Sequence, residues 1–159
     1  MDTLIKWSGS KRKQSTIITS NICKEYYTYY EPFCGSCAVL AYILEHHANK
    51  FKNFICSDLN ADLINSYNLV KSNPNIIIYQ YDKMWNELND EKNSLNDKKI
   101  YFNMVRDRLN QSHDPVDFIF IMRTTVNGMP RYNKNGDFNN SFHVTRNGII
   151  PSTFSKIIK

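Results

Sequence analysis

The 159 residues are 42% hydrophobic and 22% charged and include only five Gly and five Pro, which excludes a disordered, collagen-like or low-complexity protein. A chain of this length fits a single domain with its own core. Lys and Arg outnumber Asp and Glu by 20 to 15, and the net charge of +5 weakly favours a polyanionic partner.

The first half of the chain alternates predicted strands and helices. Residues 26–33 are aromatic and β-prone, Gly35 ends them, and apolar residues at helical spacing follow over 39–51. A second short strand is predicted at 54–59, and a helix over 60–73 begins with an Asn cap and stops at an Asn-Pro pair. Two successive strand–helix units predict a parallel sheet with crossover helices.

The second half is mainly helical. The polar stretch 86–99 is predicted to be a solvated loop between two helical segments, and 100–109 is predicted to be an amphipathic helix. Its predicted apolar face holds Ile100, Met104, Val105 and Leu109. Asp114 and Pro115 are a capping carboxylate and a first-turn proline, so they predict a helix whose apolar run 118–122 is buried.

After residue 124 the helical period is lost. Asn-Gly pairs at 127–128 and 135–136 predict two tight turns, the second within a small hairpin. A last helix is predicted to begin at Ser152. Two parallel strands followed by helices and a hairpin predict an incomplete α/β fold.

The cysteines allow an alternative interpretation. The four are Cys23, Cys34, Cys37 and Cys56. A zinc site is not predicted, because no second ligand pair has suitable spacing. Cys34 and Cys37 form a Cys-x-x-Cys pair before a helix, and Pro74 precedes an apolar run at 76–79 that can form a strand after a cis-proline. This layout is typical of thioredoxin-like oxidoreductases.

Two segments could hold a nucleoside. The turn 31–36 contains small residues after the first strand, and Asp58 follows the turn by about 20 residues, where a carboxylate would meet ribose hydroxyls. Asp58 could instead simply cap the next helix. In the basic segment 5–13, Trp7 could cover an aromatic ligand and Lys11 could meet a carboxylate, or the segment could be a basic arm with its tryptophan in the core.

Five segments together carry a family resemblance. They are residues 5–11 (IKWSGSK), 30–35 (YEPFCG), 56–65 (CSDLNADLIN), 123–133 (RTTVNGMPRYN) and 136–143 (GDFNNSFH). In this order they closely resemble the Dam-type DNA adenine methyltransferases, over practically the whole chain. The resemblance implies an α/β, incomplete Rossmann-like methyltransferase fold that uses S-adenosylmethionine, with an inserted, mainly helical DNA-recognition region containing a hairpin.

The resemblance also implies domains and site residues. Residues 1–75 would be the N-terminal part of the cofactor-binding domain, 76–151 the target-recognition region, and 152–159 the start of the return into the catalytic half. The implied cofactor-binding residues are Trp7, Lys11, Glu31, Pro32, Phe33, Gly35 and Asp58. The implied DNA-binding residues are Asn127, Arg131, Arg123 and Lys134, of which Arg131 matches an arginine that contacts a guanine edge.

The sequence departs from the family at three positions. Cys37 stands where the family loop usually has a second glycine, and Ser10 stands where many members have glycine. The catalytic Asp-Pro-Pro-Tyr or Asn-Pro-Pro-Tyr/Phe motif occurs nowhere in the 159 residues, so no catalytic residue is predicted. We therefore expect a truncated or split form of an adenine-specific DNA methyltransferase, with a second polypeptide carrying the catalytic half; the alternative is an inactive DNA- or cofactor-binding remnant.

The expected macromolecular partner is double-stranded DNA, and the resemblance makes a GATC-like site the expected target. The longest apolar run, 118–122, is far shorter than the roughly 20 residues that a bilayer requires, and no apolar stretch follows the basic residues 1–13. We therefore expect no membrane contact and a cytoplasmic location, in a bacterial or phage-infected cell.

Overall fold

A computed structural model of the chain describes residues 3–159, which form a mixed α/β fold with a small parallel sheet. The elements are α1 Ser15–Thr19, β1 Tyr26–Glu31, α2 Ala38–His46, β2 Phe51–Cys56, α3 Ala61–Ser72, α4 Pro74–Leu88, α5 Leu95–Ser112, α6 Pro115–Thr124 and α7 Pro151–Ile158. Single turns of 3-10 helix lie at Arg12–Gln14, Ala48–Lys50 and Val126–Gly128.

The two strands pair in parallel, as predicted. Tyr26 lies opposite Phe51 and Glu31 lies opposite Cys56. The second strand begins three residues earlier than expected, because Phe51 pairs with β1 and stacks on Tyr26 with ring centroids 5.5 Å apart. The helix before it therefore ends at His46, not at Phe51.

Local capping signals account for two helix starts that the sequence predicts. The Asn60 Oδ1 accepts a 2.9 Å hydrogen bond from the Leu63 N–H at the start of α3. The Asp114 carboxylate accepts from the Val116 and Asp117 N–H groups at 2.8 and 3.2 Å at the start of α6. Such caps satisfy amide groups that have no partner inside the helix.

The middle of the chain differs from two expectations: the strand required by the thioredoxin-like alternative, and the extent of the polar loop. Residues 76–79, which could form a strand, lie within α4. The predicted loop 86–99 is shortened to residues 89–94, because α4 continues to Leu88 and α5 begins at Leu95 with Ser94 as its cap. Ser94 and Asp97 form a reciprocal capping box, a signal hidden inside a stretch that is polar overall.

The buried face of α5 also differs from the prediction. Ile100 and Met104 are 58% and 50% exposed. The face that packs inward carries Phe102, Val105 and Leu109, all essentially inaccessible to solvent. The spacing of these three residues is equally helical, and the large Phe102 ring selects which apolar stripe is buried.

The hydrophobic core is built around α6, whose residues 118–122 are fully buried as predicted. The core cluster includes Leu63 of α3, Tyr81 of α4 and Phe154 of α7, and the Tyr81 and Phe154 rings stack with centroids 3.8 Å apart. The core therefore contains residues of both the predicted cofactor-binding part, 1–75, and the predicted target-recognition region, 76–151. In the part of the chain that the structure describes, no helix is long and apolar enough to span a membrane.

Candidate functional site

The loop after β1 and the loop after β2 are joined at the same edge of the sheet. The Cys34 N–H donates to the Ser57 carbonyl, and the Ser57 N–H donates to the Glu31 carbonyl, both at 3.0 Å. Carboxyl ends of parallel strands are where open α/β sheets bind ligands. These bonds therefore fix two loops, which are 20 or more residues apart in sequence, against one another at a position suited to a ligand.

Gly35 allows the N-terminal segment to close over this edge. Its φ is +47°, and a Cβ atom there would lie 3.0 Å from Trp7 Cδ1 and 3.3 Å from Trp7 Nε1. The Tyr67 hydroxyl donates to the Gly35 carbonyl at 2.8 Å, which fixes the loop from the side of α3. Only glycine combines this backbone conformation with such a close approach of the indole ring.

Asp58 is bonded to the first loop. Its Oδ2 accepts a hydrogen bond from the Gly35 N–H at 3.0 Å, and its Oδ1 accepts one from the Asn60 N–H at 3.1 Å. The side chain that caps α3 is that of Asn60. The interpretation of Asp58 as merely the helix cap is therefore wrong.

A cavity of about 240 Å³ lies between the N-terminal segment and the two loops. Its wall contains these predicted cofactor residues: Trp7, Lys11, Glu31, Phe33, Gly35 and Asp58. Pro32, also predicted, does not line it. The volume is below the roughly 300–1,000 Å³ typical of small-molecule sites.

The sequence analysis missed the floor of the cavity. Ala38 and Val39, in the first turn of α2, line it and are buried. The sequence predicted Val39 only as part of a helix face and made no prediction for Ala38. Their signal in the sequence is position, because the first turn of a helix that follows a glycine turn at a strand end faces the ligand site.

Glu31 adds a partly desolvated carboxylate to the cavity. Its Oε2 accepts hydrogen bonds from the Tyr29 hydroxyl at 2.8 Å and from the Leu40 N–H at 3.1 Å. Burial raises the pKa of Glu31 above its ordinary value, and these two hydrogen bonds oppose the shift. The donors hold the side chain in one orientation at the start of α2.

The thiols near the loop do not have the properties of a redox centre. Burial raises the pKa of Cys34, whereas an attacking thiol needs a lowered pKa. The neighbouring Cys56 thiol and burial raise the pKa of Cys37, and Cys37 lowers the pKa of Cys56. Residues 76–79 are helical, and no cis peptide bond occurs within residues 3–159. The thioredoxin-like alternative is therefore wrong. Cys37 does not line the cavity, so it does not crowd a ligand there.

The loop after α6 and the following hairpin form a second exposed feature. Asn127 and Gly128 have φ of +58° and +59°, which confirms the first predicted turn. The Asn140 side chain donates to the carbonyls of Val126 and Met129 at 3.2 and 2.9 Å and holds this loop.

The predicted hairpin is confirmed by an antiparallel bridge between Tyr132 and Phe138. Asn133 Oδ1 accepts from the N–H groups of Asn135 and Asp137 within the turn. The side chain of Asn110, on α5, bonds both backbone groups of Phe138, accepting from its N–H at 2.7 Å and donating to its carbonyl at 3.1 Å. The hairpin is thereby attached to the helical layer.

The predicted DNA-binding residues fall into two groups. Asn127, Arg131 and Lys134 are exposed on the loop and hairpin. Arg123 is partly buried at the end of α6, where its guanidinium donates to the carbonyls of Thr3 and Leu4. The structure thus gives Arg123 a role in holding the N-terminal segment, and its contact with DNA stays a prediction.

Comparison with known proteins identifies the family. A model of the D12 class of N6 adenine-specific DNA methyltransferases matches residues 7–156. The chain belongs to the D12 adenine-specific DNA methyltransferases. Membership in this family implies a methyl donor and supports the resemblance on which the cavity residues were predicted.

Relatives of this D12 chain carry matching names. It is 36% identical over 150 residues to the type II methyltransferase M.MjaIII of Methanocaldococcus jannaschii, covering 85% of this chain and 50% of the relative. The DNA adenine methylase of Vibrio cholerae is 32% identical over 142 residues, which are 87% of this chain and 46% of the relative. The Retron Ec67 DNA adenine methylase of Escherichia coli is 29% identical over 160 residues, with coverage of 95% and 50%. The chain spans about half the length of these curated relatives.

Proposed function

We propose that this chain carries the S-adenosylmethionine site and the DNA-reading region of an adenine-specific DNA methyltransferase. The observation that supports the proposal most strongly is the single cavity formed by three sequence-distant segments, through Trp7, Gly35 and Asp58. Each segment belongs to a different motif of the family resemblance. Their convergence is what a shared ligand site requires.

The cavity residues suit an adenosyl ligand. Trp7 presents a flat aromatic surface, and the missing side chain of Gly35 lets the backbone approach. The Asp58 carboxylate can accept hydrogen bonds from ribose hydroxyls in addition to those from Gly35 and Asn60, since a carboxylate has about four acceptor positions. Lys11 can meet the ligand's carboxylate. When bound, S-adenosylmethionine supplies an activated methyl group.

The hairpin suits recognition of a DNA duplex. Arg131 is exposed beside the turn, and its guanidinium fork can donate to the O6 and N7 acceptors of guanine in the major groove. Lys134 and Asn127 would contact phosphates or base edges nearby. The net charge of +5 favours association with the phosphate backbone.

We assign no catalytic residue within the 159 residues. Methylation of adenine requires the base to leave the duplex and to be held by hydrogen bonds and stacking. In the family this is the task of the Asp-Pro-Pro-Tyr motif. We propose that residues 1–75 bind the cofactor, that 76–151 recognise DNA, and that 152–159 lead toward the segment holding the motif, whether in a longer chain or in a second polypeptide.

Calorimetric titration with S-adenosylhomocysteine tests the cofactor site. Asp58→Asn should weaken binding of S-adenosylhomocysteine at least about tenfold, which is equivalent to about 1.4 kcal/mol. The reason is that the new amide NH₂ would face the N–H of Gly35 or of Asn60, where the carboxylate accepts a hydrogen bond. Asp82→Asn, the same change at an exposed position on α4, should bind like the wild type. Absence of binding by the wild type, or equal binding by Asp58→Asn, would refute the site.

A duplex-binding assay tests the DNA-reading region. Arg131→Ala should weaken binding to a GATC duplex by about 1–3 kcal/mol and should reduce the preference over a scrambled duplex. Lys156→Ala, which removes an exposed cation from α7, is the control and should retain that preference. A wild-type chain that binds both duplexes equally would contradict the recognition role.

A second candidate function is binding of cofactor and DNA without methyl transfer. Incorporation of tritiated methyl groups into unmethylated duplex DNA separates the two. We expect no transfer by the 159-residue chain alone and transfer after addition of a polypeptide carrying the motif. Failure of the second arm would support the remnant, and turnover by the chain alone would contradict our assignment.

A further inference from the structure

A hydrogen bond joins the cofactor side of the molecule to the DNA-reading hairpin. The Asn60 Nδ2 donates to the Tyr132 hydroxyl at 2.9 Å, across 72 positions of sequence. The Oδ1 of the same amide caps α3 through the Leu63 N–H at 2.9 Å. The cap orients the amide, so that its donor side faces Tyr132.

On the cofactor side, the connection continues into the cavity. The Asn60 N–H donates to Asp58 Oδ1, and Asp58 Oδ2 accepts from the Gly35 N–H. Asp58 and Gly35 both line the cavity. A ligand that engages the Asp58 carboxylate therefore contacts a group that is hydrogen-bonded to the Asn60 backbone N–H. The side chain of the same Asn60, through its Nδ2, holds Tyr132.

On the hairpin side, Tyr132 is part of the stem. Its ring meets that of Phe138 edge-on, with centroids 5.6 Å apart, and the two residues form the antiparallel bridge. Burial raises the pKa of Tyr132 above its ordinary value. Arg131 is the adjacent residue. A displacement of Tyr132 relative to Asn60 would therefore change where the Arg131 backbone lies.

We propose that Asn60 and Tyr132 are positioning residues that couple occupancy of the cofactor cavity to DNA binding by the hairpin. The inference rests on the proposed function of both sites. Cofactor binding orders Asp58 and Asn60, and Asn60 then holds the hairpin in the orientation that binds the duplex. By thermodynamic linkage the effect is reciprocal, so the duplex tightens cofactor binding by the same factor.

The affinity of the full 159-residue chain for a fluorescent GATC duplex, measured with and without saturating S-adenosylhomocysteine, tests the coupling. In the wild type the ligand should tighten duplex binding about fivefold or more, the lower end of typical coupling. Tyr132→Phe, which deletes the acceptor hydroxyl, should reduce this factor to below about twofold. Tyr79→Phe is the matched control, since it removes the same atom from a tyrosine that is 70% exposed on α4.

Asn60→Ser removes the same hydrogen bond from its other side and so provides a second, independent test. Serine retains the helix cap but cannot reach Tyr132 with an amide donor. Its coupling factor should match that of Tyr132→Phe, and the double variant should show no further loss, because both changes remove the same bond. Equal affinities of these variants for S-adenosylhomocysteine alone would separate coupling from damage to the cavity.

Hydrogen exchange supplies a readout that does not depend on DNA. Addition of S-adenosylhomocysteine should slow exchange at the hairpin amides of Asn133, Asp137 and Phe138 in the wild type and not in Tyr132→Phe. A wild type that binds both ligands without coupling, or a Tyr132→Phe variant with undiminished coupling, would overturn the inference and leave the proposed function intact. A wild type that binds neither ligand would refute the proposed function, and the inference with it.

Discussion

Replacement of Gly35 by alanine tests how the cofactor cavity is built. The residue has a φ of +47°, and the new Cβ would lie 3.0 Å from Trp7 Cδ1. A left-handed conformation costs a residue with a Cβ roughly 1–2 kcal/mol. The close approach adds to this cost, because the indole ring must shift by a few tenths of an ångström, away from the position in which it lines the cavity.

Two quantities should therefore change. The free energy of unfolding should fall by more than the roughly 1–2 kcal/mol of backbone strain, and the melting temperature should fall by about 2–4 °C per kcal/mol for a chain of this size. The affinity for S-adenosylhomocysteine should fall about tenfold or more, equivalent to about 1.4 kcal/mol, because Trp7 and the loop amide of Gly35 both move. Calorimetric titration measures the affinity, and urea unfolding measures the stability.

Gly136→Ala is the matched control. This glycine has a φ of +89°, and its added Cβ would meet nothing within 4 Å. It lies in the hairpin turn, outside the cavity. The variant should lose stability through backbone strain and should bind S-adenosylhomocysteine like the wild type. If Gly35→Ala kept wild-type affinity, or if both variants lost affinity equally, the role assigned to the contact between Gly35 and Trp7 would be wrong.

Three further changes test the surroundings of the site and the core. Arg108→Ala leaves the Asp117 carboxylate, which is 3% exposed, without its cation. It should lower the free energy of unfolding, measured with urea, by about 2 kcal/mol, below the 3–5 kcal/mol of a fully buried pair because the arginine is half exposed. Arg106→Ala should cost less, because its partner Asp107 is 59% exposed and keeps its contact with water. Cys37→Gly should be more stable than Cys37→Ala by about 1 kcal/mol, because alanine retains the Cβ at a φ of +51°; equal stabilities would contradict the strain. Burial raises the pKa of Glu31, so the protonated side chain stabilises the fold at pH values below the ordinary pKa, and this stability is lost as the pH rises through the raised pKa. Glu31→Gln should therefore have a higher melting temperature than the wild type at pH 8 and a similar one at pH 4. A difference in melting temperature that does not change with pH would refute this.

The sequence predicted correctly those elements whose position depends on a few neighbouring residues. The strand at Tyr26–Glu31, the Asn60 cap of α3 and the Asp114 start of α6 each depend on a few neighbouring residues. The predictions of secondary structure and of buried faces failed where the same local sequence fits two arrangements. The apolar residues 76–79 fit a strand or a helix, and packing in the core decides for the helix. On α5, two apolar stripes are possible, and only the tertiary partners select the stripe of Phe102.

The candidate site was also only partly predictable from the sequence. The family resemblance predicted six of the thirteen residues that line the cavity, because each of the six lies within one of its motifs. It could not show that Arg123 folds back onto the carbonyls of Thr3 and Leu4, or that Asn60 meets Tyr132. These contacts join segments 72 or more positions apart, and they depend on where the helical layer places the hairpin relative to the sheet.

The placement of the two tryptophans makes the cavity observable by fluorescence. The sequence contains only Trp7 and Trp85. Trp85 lies on α4, with its Cδ1 3.3 Å from the position of a Cβ at Gly148, and packs against the core, whereas Trp7 lines the cavity. A Trp85→Phe chain would therefore contain one tryptophan, positioned at the cavity wall, and its indole emission would follow entry of a ligand without any attached label.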